Sequence, residues 1–320
     1  MALFLNEREV NDLLPMTECV DVLEDAFSNA GKGLGDNKPR SRIRMPNGFL
    51  HFMAGAVLAP GRSAFGYKAY ATFPGGPTRF LVNLYDGESG LLLAVMEASA
   101  LGQIRTGAAS GLATRHMARS NASTVGVIGT GYQAQTQLEA VAAVRQVKAV
   151  RAFSRAPEKR ESFAAHMSER LNVEVAPVDS AEECVRDADV AITITSSREP
   201  VLKGEWLKDG AHVNAAGGNH WMRREIDPAA VARCDLIVVD DLEQARIECG
   251  DLIWAAERAA FRWAMAHELK DVVSGRMSGR PDDGSVTLFE SQGVGLEDVA
   301  AALHVYGKAR ERGIGQELPF

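Results

Sequence analysis

The sequence predicts an α/β protein in which a doubly wound parallel sheet is joined to a second, discontinuous α+β domain. Three observations predict it. Thr124-Val125-Gly126-Val127-Ile128 is a short apolar strand that runs directly into the glycine turn Gly129-Thr130-Gly131-Tyr132-Gln133-Ala134 and then a helical pattern. Apolar strand-like runs alternating with helical patterns follow it as far as Val239, as a doubly wound sheet requires. Before residue 120, short strands are instead punctuated by Pro and Gly clusters, the signature of antiparallel pairing.

The elements of the first region run in this order. A helix is expected over about Thr17–Ala30, then strands over Arg40–Met45, Phe49–Val57, Phe65–Thr72, Phe80–Tyr85 and Leu91–Met96. The turns between them are Pro46-Asn47-Gly48, Pro60-Gly61-Arg62, Pro74-Gly75-Gly76-Pro77 and Asp86-Gly87-Glu88-Ser89-Gly90. An Ala- and Leu-rich helix over about Glu97–Ala118 closes the region, its glycines permitting close packing. This sheet is expected to be antiparallel and, lacking a second layer in its own domain, to expose an edge and a face that a homodimer would cover.

From Ser123 the strands are Thr124–Ile128, Ala149–Phe153, Val173–Val178, Val190–Thr193, His212–Ala215 and Leu236–Val239, six runs that suit a Rossmann domain. Helices fall between them at about Ala134–Val144, Pro157–Leu171 and Ala181–Asp187, the second opening on a proline where the first turn tolerates one. A last helix, about Leu296–Arg312, comes long after the sheet and is expected to return to the first domain. The domains are then 1–119 with 302–320, and 120–301.

In the glycine turn, Gly129 permits the tight bend, Gly131 lets backbone approach a pyrophosphate, and Ala134 lets the helix lie close on the sheet, with Tyr132 and Gln133 opening the helix toward the phosphates. A dinucleotide is the expected ligand. The end of the second strand would ordinarily carry an acid for the adenosine ribose, and here it reads Phe153-Ser154-Arg155. Ser154 and Arg155 suit a 2′-phosphate, a lean toward NADP(H), although Arg155 also reads as a solvated turn residue.

Composition narrows the rest. Of 320 residues, 46% are hydrophobic and 24% charged, ordinary for a globular chain, and no apolar run reaches the roughly 20 residues a membrane span needs. The start, Met1-Ala2-Leu3-Phe4-Leu5-Asn6-Glu7-Arg8-Glu9, lacks the basic flank and long apolar core of a secretory signal, so a cytoplasmic protein is expected. A net charge of −7 gives no electrostatic reason to bind nucleic acid. Cys19, Cys184, Cys234 and Cys249 form no CxxC pair and the seven histidines show no HxH or HxxxH spacing, so neither a metal site nor a disulfide framework is expected.

Several motifs together resemble the ornithine cyclodeaminase/mu-crystallin family along nearly the whole chain. They are Lys38-Pro39-Arg40, His51-Phe52-Met53, Gly66-Tyr67-Lys68, the run Leu101-Gly102-Gln103-Ile104-Arg105-Thr106-Gly107-Ala108-Ala109, the glycine turn, and the run from Thr287 to Asp298 that contains Glu290-Ser291-Gln292-Gly293. The resemblance implies a substrate-binding, dimerising domain completed by the last helix, an NAD(P)-binding Rossmann domain between, and chemistry on an imine beside a carboxylate. It implies that Arg40 and Arg105 grip the carboxylate, a task for which the planar guanidinium fork is suited. Lys68 matches the active-site lysine, and shielding by Phe65, Tyr67 and Tyr70 is expected to lower its pKa for proton transfer. Ser291 and Gly293 match the element near the nicotinamide.

One departure matters. Cyclodeaminases of the family carry an aspartate where this chain has Asn219, and an amide cannot act as a general base. The resemblance therefore favours an imine reductase or amino-acid dehydrogenase, making an L-amino acid from a small α-imino acid, over an ammonia-eliminating cyclodeaminase or a non-catalytic NADP-binding protein. Asn219 would orient substrate or nicotinamide. Arg42 and Arg44, alternating with Arg40, and Arg79 nearby leave room for a second carboxylate, as in iminosuccinate, or serve as a solvated face; pyrroline-2-carboxylate is the other candidate.

Overall fold

The computed structural model describes residues 1–319, and the chain divides into two compact units, Met1–Arg105 with the stretch from Gly293 onward, and Thr106–Gln292. The divisions fall inside a helix and inside a turn rather than at 119/120 and 301/302.

The first unit opens with β1 (Leu3–Leu5), α1 (Glu7–Leu13) and α2 (Met16–Gly31). The sheet follows as β2 (Gly35–Met45), β3 (Gly48–Val57), β4 (Ala64–Thr72), β5 (Phe80–Asp86) and β6 (Leu92–Glu97), and α3 (Ser99–Met117) leaves it. The Pro and Gly clusters set these hairpins, as the sequence indicated. The sheet is not wholly antiparallel: β1 pairs with β6 in parallel, and the order runs β1-β6-β5-β4-β3-β2. Nor does it lack a second layer, since α2 and the C-terminal helix α11 (Gly295–Arg312) pack on it, with β15 (Gln316–Glu317) completing the edge. Leu5, Leu23, Phe27, Met53, Leu84 and Met96 are fully buried between these layers. The other face stays open, with Ile43, Leu50, Phe65 and Leu81 each 38–51% exposed.

The second unit carries eight parallel strands rather than six. They are β7 (Thr124–Ile128), β8 (Ala149–Phe153), β9 (Val175–Pro177), β10 (Val190–Thr193), β11 (His212–Ala215), β12 (Leu236–Val239), β13 (Ala266–Glu268) and β14 (Thr287–Glu290), in the order β13-β12-β14-β11-β10-β7-β8-β9. The two unforeseen strands are short: β13 reads Ala-His-Glu, and β14 begins and ends on polar residues, so neither stands out as an apolar run. Helices α4 (Tyr132–Val144), α5 (Pro157–Leu171) and α6 (Ala181–Val185) lie where the periodicity put them, and α7 (Pro228–Arg233), α8 (Leu242–Glu248), α9 (Gly250–Glu257) and α10 (Leu269–Val273) are additional. β10, β11, β12 and β14 are buried at every position, as parallel strands covered on both faces must be. Arg145 donates to the carbonyls of Thr114, Arg115, Ala118 and Arg119, capping the negative end of α3 with a cation. No helix among the described residues is long and apolar enough to cross a membrane.

Candidate functional site

Two constellations of polar groups stand out, one in each unit. In the first unit, β4 presents Lys68 on the face covered by α11. Lys68 is 3% exposed, and its Nζ donates to Asp298 Oδ1 at 2.8 Å. Arg105, at the end of the first unit's share of α3, donates from Nε to the same oxygen at 2.8 Å and from Nη1 to Glu297 Oε2 at 2.7 Å. Glu297 and Asp298 lie in the first turn of α11, both fully buried. Arg40, also buried, donates to the Tyr70 hydroxyl at 3.0 Å and to the Gly293 carbonyl at 3.3 Å. Three cations and two acids thus share one buried patch.

Burial, then the charge of Arg105, pushes the Lys68 ammonium down to about 8 in spite of Asp298. Burial works against the Arg105 charge as well, but Asp298 and Glu297 outweigh it and hold the guanidinium above its ordinary value. Glu297 is raised by burial and by Asp298 beside it. The lysine is therefore poised near neutral pH while the arginine is locked in charge and in orientation.

The shield over Lys68 differs from the expected one. Side chains alternate along a strand, so Phe65 and Tyr67 point to the opposite face, where both stack with Tyr85, and the cover comes from α11. Tyr70 does share the face of Lys68. A bulge lies between Lys38 and Ser41 in β2; Arg40 is buried against Tyr70, Arg42 lies opposite His51 on that same face, and Arg44 and Arg79 are exposed. His51 stacks on Tyr70 with centroids 4.5 Å apart, and burial followed by the fields of Arg42 and Arg40 pushes its pKa down to about 4, keeping it neutral.

In the second unit, β7 delivers the glycine turn. Gly129 has φ of 109°, and a Cβ there would lie 2.3 Å from the Ile194 carbonyl, so only glycine closes this bend. A Cβ at Gly131 would meet nothing within 4 Å, which leaves open space in front of the backbone. Gly131 is the N-cap of α4, and no side chain caps that end, the positive end of the helix dipole. Ala134 is fully buried and Tyr132 is exposed, while Gln133 holds a buried Oε1 with no partner among the described residues. The chain winds outward from β7 to β8 and β9 on one side and from β10 to β11 on the other, so the topological switch point lies between β7 and β10, where such sheets bind nucleotides.

At the end of β8, the Ser154 hydroxyl accepts from Thr130 at 2.8 Å and Arg155 is exposed. Asn219 follows β11, and its Oδ1 accepts from Arg223 at 3.3 Å. Ser291 follows β14; its N–H donates to Ala215 O at 2.9 Å, and its buried hydroxyl has no partner among the described residues. Gly293 belongs with the arginines, since a Cβ there would lie 2.5 Å from Arg105 Nη1. The open space at Gly131, the helix N-terminus behind it and the unpartnered Ser291 hydroxyl fit a dinucleotide: room for the pyrophosphate at a positive helix end and a hydroxyl for an amide. Among the described residues no cluster of His, Cys, Asp or Glu could hold a metal ion.

The sequence reading missed the acids. Glu297 and Asp298 were readable only as dipole-favoured residues of a helix N-terminus, and their adjacency just after the Ser-x-Gly turn was the available signal.

A glycine turn at the switch point of an eight-stranded parallel sheet defines a dinucleotide-binding α/β protein, and the other unit carries a buried cluster of cations and acids. The chain belongs to the ornithine cyclodeaminase/mu-crystallin family, whose sequence profile matches residues 1–313. It is 37% identical over 329 residues to a Delta(1)-pyrroline-2-carboxylate reductase of Bacillus cereus, covering 99% of this chain and 100% of that one. It is 33% identical to the alanine dehydrogenase of Archaeoglobus fulgidus, with 99% and 98% covered, and 30% identical to the iminosuccinate reductase of Paracoccus denitrificans, with 99% of each covered. Among solved structures, the Thermococcus litoralis Delta(1)-pyrroline-2-carboxylate reductase in complex with NADH and L-proline superposes with a TM-score of 0.93 at 34% identity, covering 99% of this chain and 100% of that one. An archaeal alanine dehydrogenase dimer with bound NAD gives 0.92 at 33% identity, covering 100% and 99%.

Proposed function

We propose that the protein is an NAD(P)H-dependent oxidoreductase that reduces a small α-imino acid to an L-amino acid. The observation that carries this reading is the buried cluster of Lys68, Arg105 and Arg40 around Asp298 and Glu297: fixed guanidinium groups for a carboxylate next to an ammonium able to give up a proton near pH 8. Its relatives that reduce pyrroline-2-carboxylate and iminosuccinate by name support the same reaction type.

The reduced nicotinamide, when bound, supplies the hydride. Arg40 and Arg105 bind the substrate carboxylate, Arg105 in the single orientation its two acids allow, so the imine carbon is presented at a constant angle. Lys68 Nζ gives its proton to the imine nitrogen, the carbon takes the hydride, and the C=N double bond becomes an amine; solvent then reprotonates Lys68. Asp298 holds the ammonium in place and keeps its pKa from falling further. Asn219 needs only to orient a ligand through its amide, because a preformed imine requires no carboxylate base. Gly129, Gly131, Tyr132, Gln133, Ala134 and Ser291 serve the dinucleotide, and the absence of an acid at Phe153-Ser154-Arg155 favours NADPH slightly over NADH. Iminosuccinate and pyrroline-2-carboxylate are the candidate substrates.

We further propose a homodimer through the open sheet face bearing Ile43, Leu50, Phe65 and Leu81. A monomer mass in sedimentation equilibrium would exclude it. The deciding assay follows reduced-nicotinamide absorbance with NADH or NADPH and pyrroline-2-carboxylate, or with oxaloacetate, pyruvate or glyoxylate in concentrated ammonium. Oxidation with one substrate well above the others is the expected result. Release of ammonia from a diamino acid with no net loss of absorbance would overturn the reading in favour of a cyclodeaminase.

A further inference from the structure

Glu225 is fully buried in the second unit and lies outside every motif the sequence displays. Its Oε1 accepts from the Thr195 N–H at 2.5 Å; its Oε2 accepts from the Gly217 N–H at 2.7 Å and from the Thr193 hydroxyl at 3.0 Å. Thr193 ends β10, Thr195 belongs to the loop after it, and Gly217 belongs to the loop after β11 that reaches Asn219 two residues later. One carboxylate therefore ties together the loops at the carboxyl ends of two adjacent strands.

The loop after β10 is one wall of the switch-point crevice, and the glycine turn is the other, because the missing Cβ of Gly129 would meet the Ile194 carbonyl of that loop at 2.3 Å. The contact is close on the far side too: a Cβ at Gly217 would lie 2.3 Å from the Thr195 carbonyl and 2.6 Å from Glu225 Oε1. Glu225 is held in turn. Asp251 Oδ1 accepts from the N–H groups of Glu225 and Ile226 at 2.8 and 2.9 Å, and the Glu225 carbonyl accepts from Val201 and Leu202 at 2.7 and 2.9 Å.

Direction along the crevice follows from strand order. The adenosine ribose of a dinucleotide bound at a glycine turn lies toward the end of the next strand, here β8, so its other half lies toward β10 and β11. We infer that Glu225 is a positioning residue for the nicotinamide half of the dinucleotide, setting the β10 and β11 loops in place without touching the cofactor itself. This rests on the dinucleotide site of the second unit and not on the imine chemistry.

The test is calorimetric titration of the full-length protein with NADH and, separately, with ADP-ribose, which lacks the nicotinamide. Glu225→Gln turns an amide N–H toward one of the N–H donors, and loss of such a buried bond weakens NADH binding by about tenfold while ADP-ribose affinity stays within about twofold. Thr193→Val removes one donor and keeps the shape, so it shifts NADH binding the same way by roughly threefold, and it serves if Glu225→Gln does not fold. Equal loss of both ligands, or no change in either, overturns the inference, since a purely structural carboxylate has no reason to discriminate between them. A wild-type protein that binds NADH and reduces no imine would sink the proposed reaction and leave this measurement valid.

Discussion

The two units build their candidate sites from opposite materials. The first uses side chains: Lys68, Arg105 and Arg40 are buried cations whose order depends on Asp298, Glu297 and the Gly293 carbonyl. The second uses backbone: a glycine bend, an uncapped helix start, and loops held from behind by Glu225. A site made of side chains can move a proton and fails when one charge is removed. One made of backbone can only receive and orient, and it fails when a Cβ is added.

The largest effect expected from this difference is at Lys68. Lys68→Met should lower imine reduction by about 10²–10⁴-fold, the usual worth of a general acid, with NADH binding unchanged by calorimetry. A rate within tenfold of wild type would remove the lysine from the chemistry. Arg105 comes next, because it carries both stability and binding. Arg105→Met takes from Glu297 and Asp298 the guanidinium that both accept from, and breaking a buried pair from one side costs about 3–5 kcal/mol, readable in urea unfolding. A loss below about 1 kcal/mol would mean that water or rearrangement compensates the acids.

In the second unit the comparison sharpens to two glycines. Gly129→Ala forces a left-handed residue and a contact with Ile194, adding about 1–3 kcal/mol of backbone strain and lowering the melting temperature. Gly131→Ala meets no protein atom, so the fold should keep its melting temperature while NADH binding weakens about tenfold, or about 1.4 kcal/mol. Unchanged NADH affinity in Gly131→Ala would place the pyrophosphate elsewhere.

The same contrast decides what the sequence displayed. Gly129, Gly131 and Ala134 are local: the turn they make is written in spacing over six positions and is visible without a partner. The hairpins of β2 to β6 are local too, each announced by its own turn. The acids of the cluster are not, because Asp298 lies 230 positions from Lys68 and 193 from Arg105, and nothing near either cation points to it. Arg40 was legible as a candidate on the face it shares with Arg42, as its bond to Tyr70 and the Arg42–His51 pairing show, yet the bulge between Lys38 and Ser41 was not. β14 escaped for a related reason: buried in the middle of the sheet between β11 and β12, it is held by neighbours rather than by its own four residues. Glu225 is the extreme case, a carboxylate whose partners are the Thr193 hydroxyl and backbone N–H groups of two other loops.

The smallest effect, and the most specific, is in pH. Lys68 titrates near 8 because burial and Arg105 oppose its charge. Reduction needs the ammonium, so its rate should level off below about pH 8 and fall about tenfold per unit above it. Stability moves the other way. The folded pKa lies below the ordinary lysine value of 10.5, so between about 8 and 10.5 the unfolded chain binds more protons than the native one. The contribution of Lys68 to stability therefore rises through that window, and the cost of its buried charge is fully present below it. Asp298→Asn removes the group that raises the lysine pKa, and it should move the fall in rate to lower pH. A profile that stayed in place would show that some other group sets it, and Lys68 would keep its position in the cluster without its role as the acid.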